Sequence, residues 1–108
     1  MRLYGLKTCD TCRAARRALA AAGREPDEVD VRGDGVPEAD LRRFLDAFGE
    51  ALINRRSTTW RGLSEAERAG DPLTLLTAHP TLMKRPVIEA DGRLYLGWGK
   101  DVQDKLLG

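Results

Sequence analysis

The sequence predicts one mixed α/β domain: a βαβ unit, a run of helices, then a β-hairpin closed by a last helix. Three observations predict it. The run Arg2-Leu3-Tyr4-Gly5-Leu6 alternates apolar positions and leads directly into a stretch rich in helix formers. Asp91-Gly92 separates the short runs Val87-Ile88-Glu89-Ala90 and Arg93-Leu94-Tyr95-Leu96, the pattern of a tight two-residue hairpin. Between these ends lie helix starts at Pro37, Ser64 and Pro72, and stops at Gly49, Gly70 and Pro80. A chain of 108 residues can enclose one core but not two.

The first strand spans Arg2 to Leu6. A helix follows from Asp10 to Ala22, with Asp10 and Thr11 as capping candidates, and stops at Gly23. On it, Arg13, Arg16 and Arg17 share one face; Arg16 and Arg17 read as solvated. Pro26 ends the turn, and Asp27-Glu28-Val29-Asp30-Val31 reads as a half-exposed second strand, parallel to the first. After Gly33-Asp34-Gly35, Pro37 opens a helix whose stripe Leu41, Phe44, Leu45 and Phe48 belongs in a core. Residues 51–63 show no clean period and carry Arg55, Arg56 and Arg61 around Trp60, either a surface loop or part of an anion- or thiol-binding wall. Ser64-Glu65-Ala66-Glu67 has the form of a capping box, and Pro72 begins a helix halted by Pro80. The single histidine, His79, reads as a capping or packing residue, and Trp98 as a packing residue. Lys100 to Leu107 forms the closing helix, with Val102, Leu106 and Leu107 inward.

Composition excludes several classes of function. With 18 Lys and Arg against 17 Asp and Glu, the net charge of +1 lacks the basic excess of a nonspecific nucleic-acid binder. No apolar run reaches the ~18 residues needed to span a bilayer. Met1-Arg2 passes directly into a strand pattern, which predicts no export signal and hence a cytoplasmic protein. The final helix is expected to run almost to Gly108, which predicts no tail of the kind a degradation partner would grasp.

The chemistry concentrates in Cys9-Asp10-Thr11-Cys12, which holds both cysteines of the chain at a strand-to-helix junction. A helix N-terminus offers unpaired N–H groups and partial positive charge, so it favours a thiolate over a thiol. A free thiol of pKa ~8.5 is only about 3% thiolate at pH 7, and a shift of roughly two units makes it mostly anionic. Helix ends contribute ~0.3–1 kcal/mol at exposed sites, so a nearby cation is also needed, and Arg13 is one candidate. Cys9 then reads as nucleophile and Cys12, one turn on, as resolving thiol. A structural disulfide, a zinc site and a pair of inert thiols are the competing readings. The zinc site would lack ligands, with one C-x-x-C and one distant histidine. No metal and no bound cofactor are expected.

Three blocks carry a family resemblance: Tyr4 to Arg16; Leu52-Ile53-Asn54-Arg55-Arg56-Ser57-Thr58-Thr59-Trp60-Arg61; and His79-Pro80-Thr81-Leu82-Met83-Lys84-Arg85-Pro86-Val87-Ile88, closing with Gly97-Trp98. Together they resemble the arsenate reductase-like family that contains the Spx and YffB proteins, with closest likeness to YffB-type members. The resemblance implies a thioredoxin-like fold with a helical insertion over about residues 37–79. It also implies glutathione-dependent thiol reduction, with glutathione as cosubstrate; a monomer is expected. Arg85 matches the arginine that faces the first cysteine, and Pro86 the cis proline opposite it. Arg13, Arg55, Arg56 and Pro86 are the expected substrate contacts, and Cys9, Cys12 and Arg85 the expected catalytic set.

Two other activities follow from the same resemblance. A Spx-type regulator would use the cysteine pair to sense oxidation and would bind RNA polymerase. An arsenate reductase would need converging oxyanion donors, yet Gly5 stands where such enzymes carry a histidine. Asn54, and Leu96 or Gly97, align with two of their arginines.

Overall fold

The computed structural model describes residues 1–108. Strand β1 (Arg2–Gly5) pairs in parallel with β2 (Asp27–Asp30) and antiparallel with β3 (Val87–Ala90). β3 turns back on β4 (Arg93–Leu96), giving the order β2-β1-β3-β4. Asp91 and Gly92 both take positive φ, 53° and 76°, as the tight hairpin requires. Register sets Leu3 opposite Ile88 and Ile88 opposite Tyr95, so all three side chains leave the same face. On that face Cys12, Ala15 and Leu19 of α1 (Asp10–Ala21) and Val102 and Leu106 of α6 (Lys100–Leu107) complete one apolar cluster.

The ends of α1 are shaped by backbone. Gly23 at φ 77° lets the Arg24 N–H return to the Leu19 carbonyl at 2.8 Å and its own N–H reach Ala20 at 3.0 Å, closing the helix. The Arg24 guanidinium donates to the Leu106 carbonyl at 3.0 Å and to Asp91 at 2.9 Å, tying α6 and the hairpin to the end of α1.

The chain divides into two compact units, residues 1–34 with 85–108, and residues 35–84. In the second, α2 (Glu38–Phe48) buries Leu41 and Phe44 and lies against α5 (Pro72–Ala78). A single antiparallel bridge, Ile53 to Met83, is flanked by hydrogen bonds from the Lys84 N–H to Leu52 (2.7 Å) and from the Asn54 N–H to Leu82 (2.9 Å). Ser64 and Glu67 form a reciprocal capping box at the start of α4 (Glu65–Arg68).

Several elements depart from expectation. A 3-10 turn (Gly49–Leu52) leads into residues 51–63, aperiodic in sequence, which contain a short α3 (Thr58–Arg61) whose cap is the Ser57 hydroxyl accepting from the Trp60 N–H at 3.1 Å. A second 3-10 turn covers Pro80–Leu82. Neither Asp10 nor Thr11 caps α1, because the capping position is Cys9. Arg16 is not solvated but pairs with Glu28 on β2 at 2.9 Å. Leu107 points outward, 39% exposed, because helical spacing already commits Val102 and Leu106 to the core.

Leu19 is fully buried at the centre of the α1–sheet contact. Leu19→Ala should therefore destabilise the fold by about 2–5 kcal/mol in urea titrations. A loss under about 1 kcal/mol would contradict this packing.

Candidate functional site

β1 ends at Gly5, and the chain turns through residues 6–9 with the Cys9 N–H on the Leu6 carbonyl at 3.2 Å. Cys9 has extended backbone (φ −82°, ψ 120°), and its carbonyl accepts the first helical bond, from Arg13, at 3.0 Å. Its sulfur thus stands where a capping oxygen normally stands, over the free N–H groups of the first turn. Both cysteines are free thiols, Cys9 half-buried and Cys12 fully buried.

The two sulfurs titrate in opposite directions. Partial burial is the largest single influence on Cys9 and pushes its pKa up. The Cys12 N–H, the Cys12 thiol, the Arg85 guanidinium and the Thr11 N–H together outweigh it, so Cys9 lies below the ordinary thiol value. As a neutral thiol Cys9 makes no conventional capping bond, so these N–H groups act as dipoles favouring the anion. For Cys12, burial again leads and pushes up, partly offset by a backbone bond at Leu6. Hydrogen bonding to Cys9 and the Cys9 charge add to the rise, Arg85 opposes it, and the result is about 11. Cys12 therefore keeps its proton more tightly than Cys9 and can donate to a Cys9 thiolate.

Arg85 reaches this site from the start of β3, and its peptide bond to Pro86 is cis. Arg13 does not join them. Its guanidinium pairs with Asp10 at 2.6 Å. That pairing balances the carboxylate next to Cys9, a negative charge that would otherwise oppose the thiolate. Arg55 and Arg56 belong to the unit of residues 35–84. There they line, with Asn54, Lys84 and Glu50, a groove of about 540 Å³. Arg55 lies over the Trp60 ring at 5.4 Å, and Arg68 is 5.5 Å from the same ring. Trp98 packs against the apolar cluster beneath the sheet face, and His79 caps the end of α5 with its ring 3.9 Å from Glu67.

Gly5, which in the sequence marks only the place where arsenate reductases carry a histidine, is also a neighbour of Cys12. A Cβ there would lie 2.6 Å from the Cys12 sulfur. The only trace of this in the sequence was a glycine inside a strand pattern, a sign of close approach.

The ArsC family model matches residues 4–106. The chain belongs to the ArsC family. Among relatives of this ArsC-family chain is an uncharacterized protein of Haemophilus influenzae, 38% identical over 103 residues, 91% of this chain and 90% of that one. Another is the global transcriptional regulator Spx of Bacillus subtilis, 26% identical over 92% of this chain and 80% of the regulator. The solved structure of a YffB protein superposes with a TM-score of 0.91 at 35% identity, covering 99% of this chain and 98% of that one. An arsenate reductase (ArsC) related protein from Brucella melitensis gives a TM-score of 0.73 at 37% identity, over 96% and 90%. The fold of this ArsC-family member is thioredoxin-like. No helix is long and apolar enough to cross a membrane.

Because Arg85 lowers the Cys9 pKa, Arg85→Gln should move the midpoint of pH-dependent Cys9 alkylation up, by about half to one pH unit. An unmoved midpoint would remove Arg85 from the site. Cys12 gives a separate pH signature. Its stabilising effect, complete below the free-thiol pKa of ~8.5, is lost as pH rises through about 11, because the unfolded chain gives up its proton first. Cys12→Ala should flatten that alkaline loss, read as denaturation midpoints on either side of the window.

Proposed function

We propose that this protein is a glutathione-dependent thiol–disulfide reductase, with Cys9 as nucleophile and Cys12 as resolving thiol. One arrangement carries the reading: a half-exposed Cys9 over the first turn of α1, a buried protonated Cys12 behind it, and the Arg85 charge acting on both. The Cys9 thiolate attacks the sulfur of a glutathionylated substrate, forming a mixed disulfide and expelling the other sulfur as a thiolate, which takes a proton from water. Cys12 then loses its proton and attacks the Cys9 sulfur of that mixed disulfide. The departing thiolate is reprotonated, and the Cys9–Cys12 disulfide remains. Two glutathione molecules reduce this bond through a second mixed disulfide, becoming glutathione disulfide. Electrons balance, and no bound cofactor is required.

The rise of the Cys12 pKa suits it to this order of events. While Cys9 is anionic, Cys12 stabilises it by donating a hydrogen bond. Burial, the leading cause of the raised Cys12 pKa, persists throughout. Once Cys9 is bonded to another sulfur, the further rise due to the Cys9 charge is gone, and Cys12 deprotonates more readily. Substrate contact at the thiol site falls to Pro86, beside Arg85, whose planar guanidinium suits a carboxylate of glutathione. Arg13 is assigned the lesser task of screening Asp10.

A second reading draws on the likeness to Spx regulators and on the same cysteine pair: oxidation would alter affinity for RNA polymerase. Pull-downs of polymerase subunits under oxidising and reducing conditions separate the two. The reductase reading predicts that Cys9→Ser abolishes turnover of a glutathione mixed disulfide. It also predicts that Cys12→Ser accumulates one glutathionyl group on Cys9 in mass spectra. Full turnover by Cys9→Ser would end this reading.

A further inference from the structure

Gly5 occupies an ordinary strand position and does not adopt the positive φ that favours glycine. Backbone conformation therefore does not explain why residue 5 lacks a side chain. Space does. A Cβ at residue 5 would meet the Cys12 sulfur at 2.6 Å, and the Cys12 Cβ and Leu3 Cδ2 each at 3.2 Å. Residues 3 and 5 share the strand face on which α1 packs, so the lost volume would come from the α1–β1 contact itself.

The displaced atom has little freedom. Cys12 is fully buried, in one cluster with Leu3, Ala15 and Leu19. Its sulfur is engaged on one side by backbone at Leu6 and on the other by Cys9. A cysteine has one side-chain torsion, so turning the sulfur away from residue 5 also turns it away from those partners.

We propose that Gly5 is a positioning residue for the thiol pair: its bare main chain is the seat that holds the Cys12 sulfur against β1 and aims its S–H at Cys9. A side chain at residue 5 then forces the Cys12 sulfur to shift from this seat. This rests on the reading of Cys9 and Cys12 as a reactive pair.

A four-way cycle tests it: the unsubstituted chain, Gly5→Ala, Cys12→Ala and the double variant, each titrated by iodoacetamide alkylation of Cys9 against pH. Gly5→Ala should lower the Cys9 thiolate fraction at neutral pH about tenfold, the scale of one hydrogen bond to a charged group. In the Cys12→Ala background the same substitution should change it little, since the atom through which Gly5 acts is gone. Equal shifts in both backgrounds, or none in either, overturn the assignment. Should Gly5→Ala alone fail to fold, a folded double variant supports the seat, and two unfolded variants overturn it. Turnover of a glutathione mixed disulfide by the unsubstituted chain separates the two claims. A cycle that behaves as described in a chain without turnover sinks the reductase reading and upholds Gly5. A flat cycle in a chain that turns over does the reverse.

Discussion

The antiparallel register between β1 and β3 is the constraint from which the site follows. Tyr4 stands opposite Val87, so the residues leaving β1 run alongside the residues entering β3. The first of these segments leads to Cys9 and the second begins at Arg85. Sulfur and guanidinium therefore meet because two strands are paired, not because the two groups attract. What holds the pairing is burial: Leu3, Ile88 and Leu19 are each at most 1% exposed, and such side chains contribute about 1.5–3 kcal/mol apiece. A slip of one residue would turn Leu3 out of the cluster, so packing enforces the register on which the electrostatics depend.

Within that frame, one environment treats two identical groups oppositely. Burial raises both thiols, yet Cys9 has the helix N–H groups and Arg85 to offset it, while Cys12 has Cys9 itself as a neighbour. The first sulfur holds its proton less tightly than an ordinary thiol, and the second more tightly. Each condition supports the other, since the proton retained on Cys12 is the one offered to Cys9. The ArsC family membership and the YffB-like fold are consistent with this arrangement, but the division of labour follows from geometry.

Local signals were legible in the sequence where a residue acts on its own neighbours. The Asp91-Gly92 turn, the Ser64 capping box, the Pro37 and Pro72 helix starts and the strand-to-helix position of the cysteine pair are all of this kind. The influence of Arg85 on Cys9 came from family likeness, since the two lie far apart in the chain. What sequence did not show were choices made among competing partners. Arg13 could serve Cys9 or Asp10, and the carboxylate within reach took it. Arg16 looked solvated until β2 brought Glu28 beside it. α3 escaped notice because four residues are too few to show a period, although Ser57 caps them. Gly5 stood out only as a departure from the histidine of arsenate reductases. Its close approach to the sulfur of residue 12 arises from the packing of α1 on β1, which no local sequence signal specifies.

The sheet has two edges of very different character. On β2 the sequence Asp-Glu-Val-Asp lines the outer margin with carboxylates, and another chain's strand brought against it would meet repulsion and costly desolvation before any backbone pairing began. β4 carries a single charge, Arg93, beside the half-buried Leu94, Tyr95 and Leu96. A strand added at the hairpin margin would therefore meet less charge than one added at the acidic margin.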